Sequence, residues 1–282
     1  MRKKLRQRFS DALPQGELSR AFNSFDIVGD IAIIKLPKDS AVDGHFIANR
    51  IMSSHKNVKT VYATTSPCVG DFRTRKLKLL AGEAKTVTLY KEAGCVFAVD
   101  VERCYFSPRL SHERLRIAGK VTGEETVVNM FAGVGCFSVI IAKKVPSSKV
   151  FSIDLNPTAV EFMERNVRLN RIYPRVIPIL GDAKDVIESR LKGKADRILM
   201  PLPEKAIEYL PNAVSALRGR GFIHLYDFEH AVGSEDPVEK TKLKVEEKLD
   251  GMGVNYHFDS SRVVRSTGPN WYQTVLDIGV IS

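Results

Sequence analysis

The sequence predicts an α/β fold: an open parallel sheet with helices on both faces, preceded by a small α+β unit. Three observations carry this. From about residue 120, strand-like runs at 125–130, 149–153, 175–179, 195–200 and 221–226 alternate with helix-like runs at 136–144, 157–169, 183–192 and 204–217. That rhythm belongs to βαβ units, whose crossovers are helical. Before residue 105 the rhythm is different, with paired short strands around one helix. The chain has 282 residues, 44% of them hydrophobic, which is enough to bury a substantial core.

Taken in chain order, residues 1–18 form a basic tail. Within residues 1–20, Arg2, Lys3, Lys4, Arg6, Arg8 and Arg20 stand against Asp11 and Glu17, a net charge of +4. Such an end is commonly solvated, or it lies along phosphates. Residues 25–37, FDIVGDIAIIKLP, read as a hairpin around a Gly-Asp turn. Residues 45–55 have helical spacing, with Ile47, Ile51 and Met52 on one face. A strand follows at 58–63, then two strands at 86–90 and 95–101 joined through Glu92-Ala93-Gly94. The expected domains are a small α+β domain over 19–118 and the larger α/β domain over 119–282. At the far end, a helix at 235–251 precedes strand-like runs near 254–264 and 272–281 with no helix between them. These predict an antiparallel pair at the sheet edge.

Composition excludes several classes. Charged residues at 27%, with 19 Gly and 13 Pro, rule out a collagen-like or wholly disordered chain. No uncharged run reaches the roughly 18 to 20 apolar residues of a membrane-spanning helix, and the nearest, 126–142, is interrupted by Asn129, Gly133 and Gly135. The basic N-terminus has no apolar core behind it, so no secretory signal is expected. Cys68, Cys95, Cys104 and Cys136 form no CxxC or Cys/His cluster. No metal site is therefore expected, and scattered cysteines fit a reducing cytoplasm. The net charge of +10 favours a polyanionic partner.

The cofactor signal lies at three successive strand ends. Asn129-Met-Phe-Ala-Gly-Val-Gly135 follows the strand TVV and opens the helix CFSVIIAKK. Gly133 and Gly135 permit a tight turn whose N–H groups can approach a ligand. Ser138 stands where a dinucleotide fingerprint has its third glycine, so a ligand without pyrophosphate, such as S-adenosylmethionine, fits better. The next strand, VFSIDLNP, ends in Asp154, 19 residues beyond Gly135, where a carboxylate can accept both ribose hydroxyls. With Asn156 and Pro157 behind it, Asp154 equally reads as turn chemistry. The third strand ends in Gly181-Asp182-Ala183, where Asp182 can accept from an adenine amine or cap the following helix. Phe131, Leu155, Ala183 and Pro201 complete the expected cofactor-binding set around this edge. Glycine turn, acid and acid in this order predict a class I, Rossmann-like S-adenosylmethionine-dependent methyltransferase domain. Ahead of the sheet, Arg109 and Glu113 are four apart and share a helix face after Pro108, either as a surface ion pair or as catalytic groups.

CYFSPRLSHERLRI, NMFAGVGCFSV, SIDLNPTAVEFMERNVRLN, DRILMPLP and GDFRTRKLKLLAGE together resemble the archaeal and eukaryotic tRNA guanine-N1 methyltransferases, which act on the guanosine 3′ of the anticodon at position 37. The resemblance runs from about residue 20 to the C-terminus. It implies that Glu113 is the general base that removes the guanine N1 proton and that Arg73 stabilises the charge on O6. It further implies that Tyr105 and Arg109 shape the site and that Arg114 meets the methionine carboxylate of the cofactor. For Arg73, within the cationic FRTRKLK, phosphate contact is the plainer reading. The implied partner is tRNA, through its anticodon stem-loop, with a monomeric enzyme, S-adenosylhomocysteine as product and no metal.

Three features depart from the family pattern. Asn129 replaces an Asp at the start of the glycine turn, and Pro201 replaces an Asn expected to contact the target guanine. About 18 residues precede the first core strand, so the further N-terminal domain of many relatives is expected to be absent or replaced by the basic tail. Rival readings are the related aminocarboxypropyltransferase acting on a tRNA wybutosine precursor and a bifunctional enzyme that also methylates a tricyclic guanine derivative. Against the first stand Arg109, Glu113 and Asp154. A non-catalytic RNA-binding protein, or a methyltransferase for protein or small molecules, remains a different class. The Asn-Pro-Pro-[Tyr/Phe] motif of exocyclic amine methylation is absent.

Overall fold

A computed structural model describes residues 25–36, 43–65 and 70–281. The basic tail over 1–18, the last residue of the 25–37 run and Cys68 lie outside the described residues. The chain divides into two compact units, Met1–Ser111 and His112–Ser282.

In the first unit, β1 (Asp26–Val28) and β2 (Ile31–Lys35) pair antiparallel around the Gly29-Asp30 turn. Helix α1 (Gly44–Ser54) carries the chain across to β3 (Thr60–Thr64), which lies parallel to β2. Asp43 caps α1 by accepting from the His45 N–H, and Ile47, Ala48 and Ile51 form its buried face against Ile34, Val61 and Leu80. Met52, expected on that face, is only partly buried beside it. Strand β4 (Leu77–Gly82) completes the sheet β1-β2-β3-β4. The sequence reading missed this strand because LKLLAG continues a cationic run and is mostly half-buried. Strands β5 (Val87–Glu92) and β6 (Cys95–Asp100) form a separate hairpin. Ala93 at φ 50° and Gly94 at φ 74° supply the paired positive φ values of a two-residue loop.

The second unit opens with α2 (Ser111–Lys120), which follows a single 3₁₀ turn at Pro108–Leu110. Its sheet uses β7 (Thr126–Asn129), β8 (Lys149–Asp154), β9 (Val176–Leu180), β10 (Ala195–Met200), β11 (Leu217–His230), β12 (Asn255–Gly268) and β13 (Trp271–Ile281), in the order β12-β13-β11-β10-β7-β8-β9. The five strands β7 to β11 run parallel, and β13 pairs antiparallel with both β11 and β12. The expected terminal antiparallel pair is therefore present, with β12 at the edge. Helices α3 (Cys136–Lys144), α4 (Pro157–Leu169), α5 (Ala183–Val186), α6 (Ala206–Ala216) and α7 (Pro237–Asp250) make the connections. The run expected to be one helix at 183–192 is α5 followed by a π turn at Ile187–Leu191. Strand β11 starts four residues earlier than expected, where Gly219 at φ 83° accompanies a register shift against β10.

Chain order places the ligand edge. From β7 the chain moves outward through β8 and β9, then returns to the other side of β7 as β10. The chain order thus reverses between β7 and β10, the switch point outside whose carboxyl ends open α/β sheets bind ligands. Val128, Ile153, Ile198, Leu225 and Leu276, all buried, form the layer beneath that edge.

Candidate active site

Apart from Arg114 on α2, the residues expected to bind the cofactor stand at or just after strand ends. Gly133 and Gly135 have φ values of 56° and 87°, the left-handed region that suits glycine. A Cβ on Gly135 would lie 2.7 Å from Met163 Cγ, so the turn also needs glycine to seat α3 against α4. The turn is pinned from three sides. The Ala132 N–H donates to the Ile153 carbonyl at 2.8 Å, Asn166 Nδ2 donates to the Val134 carbonyl at 2.9 Å, and the Gly133 N–H donates to Asp154 Oδ2 at 2.6 Å.

Asp154 also accepts from the Asn156 N–H through Oδ1 at 2.9 Å. Its carboxyl is pushed up by burial, against the pull of the Asn156 and Gly133 N–H groups. These turn contacts leave each oxygen a second lone pair that can accept from a hydroxyl donor. Asp182 is similar. Its Oδ1 caps α5 through the Lys184 N–H at 2.8 Å, and its Oδ2 accepts from the Tyr209 hydroxyl at 2.8 Å. Phe131 meets Tyr209 edge to face with ring centroids 5.2 Å apart. Leu155 is exposed and Ala183 buried at the neighbouring strand ends. Pro201 is half-buried immediately after β10.

Asn129 leads into a buried polar chain. Its Nδ2 donates to Ser138 Oγ at 3.1 Å, and the Ser152 hydroxyl donates to Ser138 Oγ at 2.7 Å. Asn129 Oδ1 accepts no hydrogen bond among the described residues. Ser138 therefore takes the place of the absent third glycine by joining β7, β8 and α3.

Glu113 is 2% exposed and held by residues from three elements. Its Oε1 accepts from Arg116 Nε at 2.9 Å, Arg116 Nη2 at 2.6 Å and the Tyr226 hydroxyl at 2.7 Å. Its Oε2 pairs with Arg262 Nη2 from β12. This is not the geometry of a surface ion pair. Arg109 instead donates from Nε to Asp26 Oδ1 at 2.7 Å in the first unit.

The network continues past Arg116 to Asp277, at 2.5 Å from Nη1 to Oδ2. Burial alone would raise the Asp277 carboxyl, but hydrogen bonds from His224, Arg116 and Ser260 hold it well below the usual carboxylate range. Burial lowers the His224 imidazole, helped by the charges of Arg197 and Arg116. His224 is accordingly neutral, with Nδ1 donating to Asp277 and Nε2 accepting from Arg197. Burial also pushes the Tyr226 phenol well up, as does the charge of Glu113. Tyr226 remains a hydroxyl donor over the working pH range.

In the first unit Arg73 has φ 50°, an uncommon backbone conformation for a residue with a side chain. Its guanidinium lies over the Tyr105 ring, 4.2 Å from the centroid. The fold therefore brings Arg73 and Tyr105 together. Arg114 is buried on α2. Sequence reasoning missed Arg116, Tyr226, Arg262 and Asp277 around Glu113, and also Tyr209 beside Asp182 and Asn166 beside the glycine turn. Only Arg116 carried a local signal, as the i,i+3 partner of Glu113.

The model of the TRM5/TYW2 methyltransferase domain matches residues 88–252, and that of the TYW2 N-terminal domain matches residues 5–86. Trm5b of Pyrococcus abyssi, a tRNA (guanine(37)-N(1))-methyltransferase, is 40% identical over 258 residues, covering 91% of this chain and 74% of that protein. Its crystal structure superposes with a TM-score of 0.85 at 39% identity, over 96% of this chain and 79% of that one. The tRNA 4-demethylwyosine(37)-methyltransferase Taw21 of Saccharolobus solfataricus is 38% identical over 255 residues, 90% of this chain and 92% of that protein. A structure of aTrm5 in complex with tRNALeu superposes with a TM-score of 0.79 at 33% identity, over 99% of this chain and 75% of that one. With a methyltransferase-domain match over more than half its length and these relatives across nine-tenths of it, the chain belongs to the TRM5/TYW2 methyltransferase family.

Proposed function

We propose that this protein is a tRNA (guanine(37)-N1)-methyltransferase that uses S-adenosylmethionine and releases S-adenosylhomocysteine. The observation that carries the reading is Glu113, a carboxylate removed from water yet fixed by Arg116, Tyr226 and Arg262. A neutral guanine N1 carries a proton and is a poor nucleophile, so a positioned carboxylate is what the reaction requires. Arg73, already in a special backbone conformation and stacked on Tyr105, is the donor for the charge that builds on O6. Tyr105 and Arg109 shape the nucleotide site.

The strand-end residues fit the cofactor. Asp154 has free lone pairs for the ribose hydroxyls, and Asp182 can accept from the adenine amine. Phe131, Leu155 and Ala183 wall the adenosine, Gly133 and Gly135 allow its close approach, and Pro201 closes the β10 side. Arg114 neutralises the methionine carboxylate. When bound, S-adenosylmethionine supplies an electrophilic methyl group on a cationic sulfur. The protein acts as a monomer in the cytoplasm on the anticodon stem-loop of tRNA. The positive balance of the chain supports the RNA partner. Among the described residues, no helix is long and apolar enough to cross a membrane.

The test is nucleoside mass spectrometry of tRNA after reaction with labelled cofactor. Unmodified tRNA with guanosine at position 37 is expected to gain one methyl, as N1-methylguanosine. An aminocarboxypropyl adduct, or methylation only of tRNA bearing 4-demethylwyosine, would overturn the assignment.

A further inference from the structure

Glu113 has two unlike oxygens. Oε1 is saturated by three donors, two from Arg116 and one from Tyr226, all on elements packed inside the second unit. Oε2 has Arg262 as its ion-pair partner. Arg262 is 42% exposed, on the edge strand β12, whereas the Arg116 side chain is 21% exposed and Tyr226 is fully buried. The solvent-facing approach to this buried carboxylate is therefore the one that Arg262 occupies. The charged and titratable groups around it are Arg116 and Lys120 from α2, His224 and Tyr226 from β11, Arg262 and Asp259 from β12, and Asp277 from β13. Of these, Arg262 is the cation that can leave without uncovering a second buried carboxylate, because Arg116 also holds Asp277.

We propose that Arg262 guards the catalytic base: it caps Glu113 Oε2 in the free protein and leaves that oxygen when the target nucleotide arrives. The proposal rests on the reading of Glu113 as the base. Oε2 is then the oxygen that receives the proton, while Arg116 and Tyr226 are positioning residues that fix the carboxylate through Oε1. In the step itself, the N1–H bond breaks and an O–H bond forms at Oε2. The electron pair left on N1 bonds the methyl carbon as the carbon–sulfur bond breaks, and that bond's pair returns to sulfur.

The pH dependence of methyl transfer separates a departing guard from a resident partner. The acid limb of kcat/KM reports the base in the free enzyme, and that of kcat reports it in the substrate complex. Removing a cation beside a carboxylate disfavours its ionised form and moves the limb to higher pH. In Arg262→Ala and Arg262→Gln, the limb of kcat/KM is expected about half to one unit higher, with the limb of kcat unmoved. Arg262→Lys, which keeps the charge, should restore the original limb. Equal movement of both limbs would mean that Arg262 stays on Glu113 throughout. Movement of neither would make it merely structural, and either result overturns the proposal. Glu113→Gln measured alongside keeps the two claims apart: its retained turnover would remove the base itself, whatever the Arg262 variants do.

Discussion

Asp227, two residues past the level where β10 ends, shows how burial sets the sign of a pH effect. It sits with Glu229 and Lys244, its side chain 9% exposed, and Lys244 Nζ lies 3.2 Å from its Oδ2. Burial pushes its carboxyl up to about 6, Lys244 opposes the shift and Glu229 adds to it. Between the ordinary carboxylate value of about 3.9 and this raised value, the folded state holds more protons than the unfolded one. Stability from this group is therefore lost as pH rises through that window, and the loss is complete above it. Asp277 has the opposite sign: its contribution is present above the ordinary value and disappears only in strong acid. Asp227→Asn leaves Lys244 paired with Glu229. The variant is expected to exceed the parent by about 1–3 kcal/mol at pH 7.5, with the gap closing toward pH 4.5. Urea unfolding at both pH values checks this, and a gap independent of pH would assign the effect to packing instead.

At the level of elements, the legible parts of the candidate site are those in which one βα turn holds the whole signal. Gly133, Gly135, Asp154 and Asp182 could be read because a strand end, its turn and the next helix are contiguous in sequence. The clamp around Glu113 could not. Tyr226, Arg262 and Asp277 reach Glu113 and Arg116 across 113, 149 and 161 residues. Their convergence depends on β13 inserting between β11 and β12, which hydrophobic periodicity does not encode. Strand β4 was hidden differently, by Lys78 within it and the cationic run Arg73, Arg75 and Lys76 just before it. The glycine turn gives a test of the legible part. Gly135→Ala must hold a left-handed φ and move Met163 in the core. A cost of about 1–2 kcal/mol for the backbone alone is expected. Displacement of the turn should also weaken cofactor binding by at least about tenfold, equivalent to roughly 1.4 kcal/mol. Thermal unfolding and calorimetric titration of S-adenosylmethionine report the two effects separately. Unchanged affinity would place the cofactor away from this turn.

For the molecule as a whole, the positive balance has to be divided between structure and partner. Around Glu113 and Asp277 the charges are used internally: Arg116, Lys120, Arg197 and Arg262 face Glu113, Glu125, Asp259 and Asp277, and this cluster is neutral. The net +10 of the chain must therefore come from elsewhere. Residues 1–20 carry +4 of it, and the stretch from Gly70 to Glu83 adds Arg73, Arg75, Lys76 and Lys78 against Asp71 and Glu83. Each phosphate that basic side chains neutralise releases counterions. With about four such contacts, tRNA affinity is expected to fall roughly 30- to 300-fold between 50 and 200 mM salt. Internal ion pairs are screened much less, so the folded state should persist over the same range. Filter binding across the salt series, with circular dichroism as the control, measures both. A flat affinity profile with intact structure would mean that the excess charge does not hold the RNA, and recognition would then rest on the nucleotide site alone.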